Sequence, residues 1–176
     1  MATVLTTTYD STTDSTALTI TLASLASSAT FIVGRQSNVV SNLSTNYDDV
    51  HLSGQVTVGT TPTVSTQINV YVFAPIKHVS STASYPIATT TQLGESDAAA
   101  TFEANQLAQL RWAGSATAIA TSDRAYAFEP VSIASLFGGI MPIKWGIYVA
   151  HGTVAALNAT AGNHWFHYQG IKYTNT

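Results

Sequence analysis

A period-two alternation of apolar and polar residues constrains this chain more than any other feature. Residues 50–58 read VHLSGQVTV, with Val50, Leu52, Val56 and Val58 on one face and His51, Ser53, Gln55 and Thr57 on the other. Successive side chains of a strand point to opposite faces, so this pattern predicts a half-buried strand. Gly54 within it marks a bulge or a close approach of another group. Residues 67–73 (QINVYVF) repeat the pattern, with Ile68, Val70 and Val72 opposite Asn69, Tyr71 and Phe73. Gly59-Thr-Thr-Pro62 lies between the two and supplies turn chemistry, which predicts a hairpin. Thr30-Phe-Ile-Val-Gly34 is a short apolar strand, and residues 144–150 and 164–171 form a second predicted pair.

The stretch 17–29 (ALTITLASLASSA) is apolar and ends in small residues, as a secretory leader would. A leader has a positive segment before its apolar run. Here that segment carries Asp10 and Asp14 and no Lys or Arg. Leu18, Ile20 and Leu22 alternate, so the stretch reads as the first core strand. Helix signals are scarce. Ser96 or Asp97 can cap a helix over 96–110, but Phe102, Leu107 and Leu110 are only loosely periodic. One or two helical turns are expected there, then a strand through 110–121.

These observations predict an all-β fold: an antiparallel β-sandwich, jelly-roll-like, with one or two short helical turns. β-Branched residues favour strands over helices, and strands do not alternate with long helices as a nucleotide-binding α/β fold requires. Residues 1–16 form a polar N-terminal arm, with Val4, Leu5 and Tyr9 as its apolar members, that orders against a neighbouring subunit or frays. Residues 17–176 form a single domain.

Charge then narrows the function. Lys and Arg number 6, Asp and Glu 9, and charged residues are 9% of the 176, against a usual ~25%. A net charge of −3 argues against nucleic acid as a partner, since phosphates demand a basic face. No apolar run reaches the ~18 residues of a membrane span. The absence of cysteine excludes disulfides, thiol catalysis and cysteine metal sites. Ser and Thr fill the place of charge at roughly a quarter of the chain. Such a near-neutral surface favours association, because interface cores are depleted in charge. A homo-oligomer or a lattice component suits this composition.

Catalytic patterns are weak. His164 and His167 sit three apart beside Trp165, Phe166 and Tyr168, but on a strand that spacing puts them on opposite faces. His51, His78 and His151 lie in separate segments, so no metal site is expected. Asp123 and Glu129 flank Tyr126 in a turn region, where Asp123 reads as a turn residue or as a partner of Arg124. No G-x-S-x-G or phosphate-binding loop occurs, and the chain calls for no cofactor and no catalytic residue. Asn42-Leu-Ser44 and Asn158-Ala-Thr160 match glycosylation acceptors, which matter only in a secretory setting. Trp112, Trp145 and Trp165, with Tyr148 and Tyr168, are candidates for a glycan-stacking platform or for core and subunit contacts. On this reading Trp145 and Trp165 lie on neighbouring strands and face each other.

Several segments resemble a group of small structural proteins of tailed bacteriophages. They are Pro142-Ile-Lys-Trp-Gly146, Ala156-Leu-Asn158, Tyr168-Gln-Gly170, and the stretches 18–37 and 61–75. The resemblance covers most of the chain, least clearly 1–16 and 76–105, and contains no catalytic signature. It implies a β-sandwich that decorates or cements a capsid as a trimer, bound where copies of the major capsid protein meet on the virion surface. Such a protein is made in the host cytoplasm without a signal peptide. Two alternatives follow from the same reading: a glycan-binding module or fibre component for host attachment, and a neck or tail structural protein.

Overall fold

A computed structural model of the chain describes residues 5–10, 15–77, 84–85, 93 and 96–175. Thirteen strands are named in chain order: β1 (Leu5–Tyr9), β2 (Thr16–Ala17), β3 (Val33–Gln36), β4 (Val40–Ser41), β5 (Asp49–Thr57), β6 (Gln67–Phe73), β7 (Ile76–Lys77), β8 (Ser84–Tyr85), β9 (Ala98–Thr101), β10 (Arg111–Thr117), β11 (Ala125–Ser132), β12 (Lys144–His151) and β13 (Trp165–Asn175). One α-helical turn, α1 (Ile133–Leu136), and two 3-10 turns at Gln106–Gln109 and Ala161–Asn163 complete the set.

The strands form an antiparallel β-sandwich. Sheet A runs β1-β13-β5-β11, with β2 also paired to β13; sheet B runs β10-β6-β12-β3-β9, with β4 also paired to β12. The small β7–β8 ladder stands apart from both. The expected all-β class therefore holds. The expected pairings do not. β5 and β6 lie in different sheets, and so do β12 and β13. Neither link closes a hairpin; each carries the chain from one sheet to the other, in the manner of a jelly roll. β5 pairs instead with β13 and β11, far away in sequence, and β6 with β12 and β10. Turn residues between two strands set where the chain bends, and both sheets have an apolar inner face that accepts such a strand.

The core follows the alternation. Val50, Leu52, Val56 and Val58 from sheet A meet Ile68, Val70, Val72, Trp145, Ile147 and Val149 from sheet B. Fully burying a side chain of this size contributes roughly 1.5–3 kcal/mol. The outer face of sheet B is also covered. Phe73, Leu93, Ala100, Phe102, Leu110 and Tyr148 make a second cluster there. That explains why Asn69 and Phe73, on the polar face by pattern, are buried.

Two segments depart from expectation. Strand β9 and a 3-10 turn replace the helix over 96–110. β9 adds to the edge of β3 (Val33↔Thr101 to Gln36↔Ala98) and directs Ala100 and Phe102, at period two, into the second cluster on the outer face of sheet B. Stretch 17–29 does bury Leu18 and Leu22, but only Thr16–Ala17 is strand. Its backbone bonds are divided: Leu18 N–H donates to Phe166 O at 2.8 Å, and Thr19 O accepts from Asn38 N–H at 2.9 Å. The stretch thus bridges sheet A and the β3–β4 link and runs along neither.

The N-terminal segment also differs from a free arm. β1 pairs antiparallel with the end of β13, from Leu5↔Asn175 to Tyr9↔Ile171, and so forms an edge of sheet A within its own chain. The Tyr47 hydroxyl donates to the Asp10 carboxylate just past it. Burial, and then that bond, raise Tyr47 to about 12. Val4 and His78 lie outside the described residues.

Candidate functional site

The aromatic platform expected from sequence is not assembled. Trp145, on β12, is fully buried between the sheets, with its ring edge-on to Tyr168 at 5.3 Å. Trp165, on β13, points out of the opposite sheet, so the two do not face each other. Tyr148 is buried on the far side of sheet B, edge-on to Phe102 at 4.9 Å, and its hydroxyl donates to Phe31 O at 2.9 Å. Burial pushes its phenol pKa up, as it does for half-buried Tyr168. Trp112 is exposed on β10, an edge of sheet B. Of the five, Trp112 and Trp165 remain presented to solvent, on different sheets.

Trp165 has company of its own. The register of β13 against β5 is Trp165↔Gln55, His167↔Ser53 and Gln169↔His51. All six stand on the outer face of sheet A, because Phe166, Leu52 and Gly54 take the inner one. An open groove of about 600 Å³ runs over this floor, lined by Ser15, His51, Ser53, Pro130, Trp165, His167, Tyr168 and Gln169. β2 brings Ser15 to one side, where its hydroxyl meets His167 Nδ1 at 2.9 Å. The irregular register of β11 between Phe128 and Val131 brings Pro130 to the other. The indole of Trp165 and the ring of His167 stand edge to face at 5.6 Å.

The remaining histidines and acids serve the fold. His164 is buried; its Nε2 lies 2.9 Å from Asn158 O, and its Nδ1 accepts from Thr57 N–H at 3.2 Å. These partners fix a neutral ring, protonated at Nε2. His151 is buried with Nε2 at 2.9 Å from Leu25 O and Nδ1 at 2.8 Å from Thr153 Oγ1. Burial holds both imidazoles below the usual histidine range, against the opposing pull of their carbonyl partners. His164 and His167 do not converge, as the strand spacing predicted. Among the described residues, no group of three His, Asp or Glu is placed to hold a metal ion.

Asp49 is buried and accepts from Val50 N–H at 2.7 Å, Ala134 N–H at 2.9 Å and the Ser132 hydroxyl at 2.6 Å. It ties the start of α1 to β5. Asp123 occupies a turn at φ 55° and accepts from Asn158 Nδ2 at 2.6 Å, while Arg124 lies over the Tyr126 ring. Asn42 is equally occupied: its side chain is bonded to Tyr47 N–H, Tyr47 O and the Thr45 hydroxyl. Both acceptor sequons thus hold structural asparagines. Arg35 and Asp97 pair at 2.5 Å. Burial would raise the Asp97 carboxyl, but Arg35 and the Thr21 hydroxyl outweigh it and hold the group low.

Six of the eleven exposed large apolar residues among those described lie near the two ends of β12. At its start, Asn42 N–H donates to Ile143 O at 2.7 Å, which sets Leu43 beside the loop that carries Ile140 and Ile143. These three are 70%, 75% and 65% exposed. Gly138 and Gly139, at φ 74° and 87°, turn the chain into that loop in a region open to glycine at little cost. At the other end, Thr63 N–H donates to Thr153 O and Ser65 N–H to Ala118 O, both at 3.0 Å. Val64, Val154 and Ile119 are thereby brought together, all exposed. Val154 stands at φ 71°, where a β-branched residue is strained by roughly 1–3 kcal/mol.

Compared with protein-family models, with curated proteins and with solved structures, the chain matches none.

Proposed function

We propose that this chain is a non-enzymatic structural protein of a bacteriophage virion, a capsid decoration protein that binds the outer shell as a homo-oligomer and stabilises it. The observation that carries this reading is the pair of apolar ends on a sandwich with 9% charged residues. Contiguous exposed apolar surface on a soluble domain marks an interaction site. Two such surfaces, separated by the eight residues of β12, or about 26 Å, let one copy touch two neighbours at once. The strained, outward Val154 supports the same reading, since backbone strain concentrates where a surface is used. Clamping would be multivalent: each contact is modest, and an oligomer adds contacts through effective concentration. β1 contributes as an edge strand of sheet A, and an edge strand is where a further strand can pair.

Light scattering on a size-exclusion column, at low and high salt, tests the first half of this. A salt-insensitive trimer that becomes a monomer in Ile140→Asp/Ile143→Asp fits an apolar interface. Co-sedimentation with purified tailed-phage heads tests the second half. A clean monomer that leaves the heads unbound would overturn the proposal.

A further inference from the structure

The groove on the outer face of sheet A shares no lining residue with the two apolar ends and has a different chemistry. We propose that it binds a neutral saccharide chain, with Trp165 as the stacking surface and His51, His167 and Gln169 as hydrogen-bonding partners. Its volume of about 600 Å³ falls within the roughly 300–1,000 Å³ of small-molecule sites. Its floor is two facing columns, Trp165, His167 and Gln169 on β13 and Gln55, Ser53 and His51 on β5. From Trp165 to Gln169 the strand advances about 13 Å, room for a short oligosaccharide laid along it.

Chemistry selects the occupant. Among the described residues no Lys, Arg, Asp or Glu lines the groove, so none of them offers a phosphate chain or a cationic peptide a counter-charge. Beside the apolar Trp165 and Pro130, the lining offers amide, hydroxyl and imidazole groups. A sugar ring has both faces this lining offers to satisfy. Its C–H bonds meet the negative face of an indole, and its hydroxyls exchange hydrogen bonds with groups that donate and accept. Those groups are available. The Gln169 amide bonds to no other described residue, and His51 Nε2 lies 4.0 Å from Asp49 Oδ2, beyond hydrogen-bond length. The Ser15 hydroxyl engages His167 at Nδ1, which orients the ring and leaves Nε2 without a hydrogen bond to the described residues. Trp165 is 40% exposed, with the His167 ring set edge to face against it.

The test uses the full chain on an immobilised panel of neutral and sulfated oligosaccharides, followed by calorimetry with the best neutral binder. Trp165→Ala is expected to weaken that binding at least tenfold, and Gln169→Ala several-fold. Trp112→Ala, on the other sheet, should bind as the parent does. Circular dichroism confirms that each variant folds, and Trp165→Phe, which keeps a ring, should recover part of the affinity. Three results would overturn the proposal: no neutral saccharide binding at millimolar concentration, unchanged binding in Trp165→Ala, or sulfated chains binding more tightly than neutral ones. An oligomer that falls apart in Trp165→Ala while no sugar binds would make this face a subunit contact instead. Because the apolar ends lie elsewhere, failure here leaves the assembly reading standing, and the reverse also holds.

Discussion

Gly54 is the position where a single methyl group should be felt most. It lies on β5 with Phe166 of β13 paired to it on one side and Phe128 of β11 on the other. Their rings come within 6.0 Å of each other, closing over the space a side chain would occupy. A Cβ there would fall 2.2, 2.5 and 2.7 Å from three ring atoms of Phe166. Phe166 is 1% exposed, so its ring moves only by displacing Phe128 or the sheet B residues above. Overpacking of this kind costs about 1–3 kcal/mol. Loss of backbone freedom in the unfolded chain returns about 0.4–1 kcal/mol. The net for Gly54→Ala is a loss of about 1–2 kcal/mol, or about 2–8 °C in Tm at this chain length. Urea denaturation with an unchanged m-value measures it directly. The double variant Gly54→Ala/Phe166→Leu isolates the clash, because the smaller side chain makes room for the methyl. Its loss should be less than the sum of the two single losses. Strict additivity, or a Gly54→Ala protein as stable as the parent, would refute the close-approach argument.

The buried histidines predict a pH dependence. Burial lowers both His151 and His164 in the folded chain, so below about pH 6.5 the unfolded chain takes up protons first. Stability is then full above that pH and declines as the pH falls from 6.5 towards the folded-state values. Urea midpoints at pH 7.5, 6.5 and 5.5 should fall in that order, and His164→Gln should flatten the slope; a constant midpoint would count against the assignment. Asp49→Ala leaves the N–H groups of Val50 and Ala134 without their carboxylate and should cost about 2–3 kcal/mol. Asp49→Asn, which keeps an acceptor oxygen, should cost less, as read from the same denaturation curves.

Legibility in the sequence varied with the range of the interaction concerned. The period-two alternation in residues 50–58 correctly placed Val50, Leu52 and Val56 inward and His51, Ser53 and Gln55 outward, and Gly54 was rightly marked for a close approach. The spacing of His164 and His167 correctly separated them. By contrast, the helical reading of 96–110 failed because a free edge on β3 satisfied its backbone as a strand, which local propensity does not report. Of the groove residues, Trp165 stood out as an aromatic. Ser15, His51 and Gln169 gave no signal, since nothing local says that β5 and β13, more than a hundred residues apart, lie side by side.

The sequence by itself determined the fold class and which residues of β5 and β6 share a face, because those depend on neighbours one and two residues away. Tertiary structure decided which strands pair and therefore which tryptophan is core and which is surface. Trp145 and Trp165 sit in similar aromatic strands, and no local pattern distinguishes them. Trp145 lies between the two sheets, while Trp165 stands on the outer face of sheet A, where it is 40% exposed. The physical reason is that a strand's register fixes only its two faces. Whether a face meets water depends on what the rest of the chain lays over it.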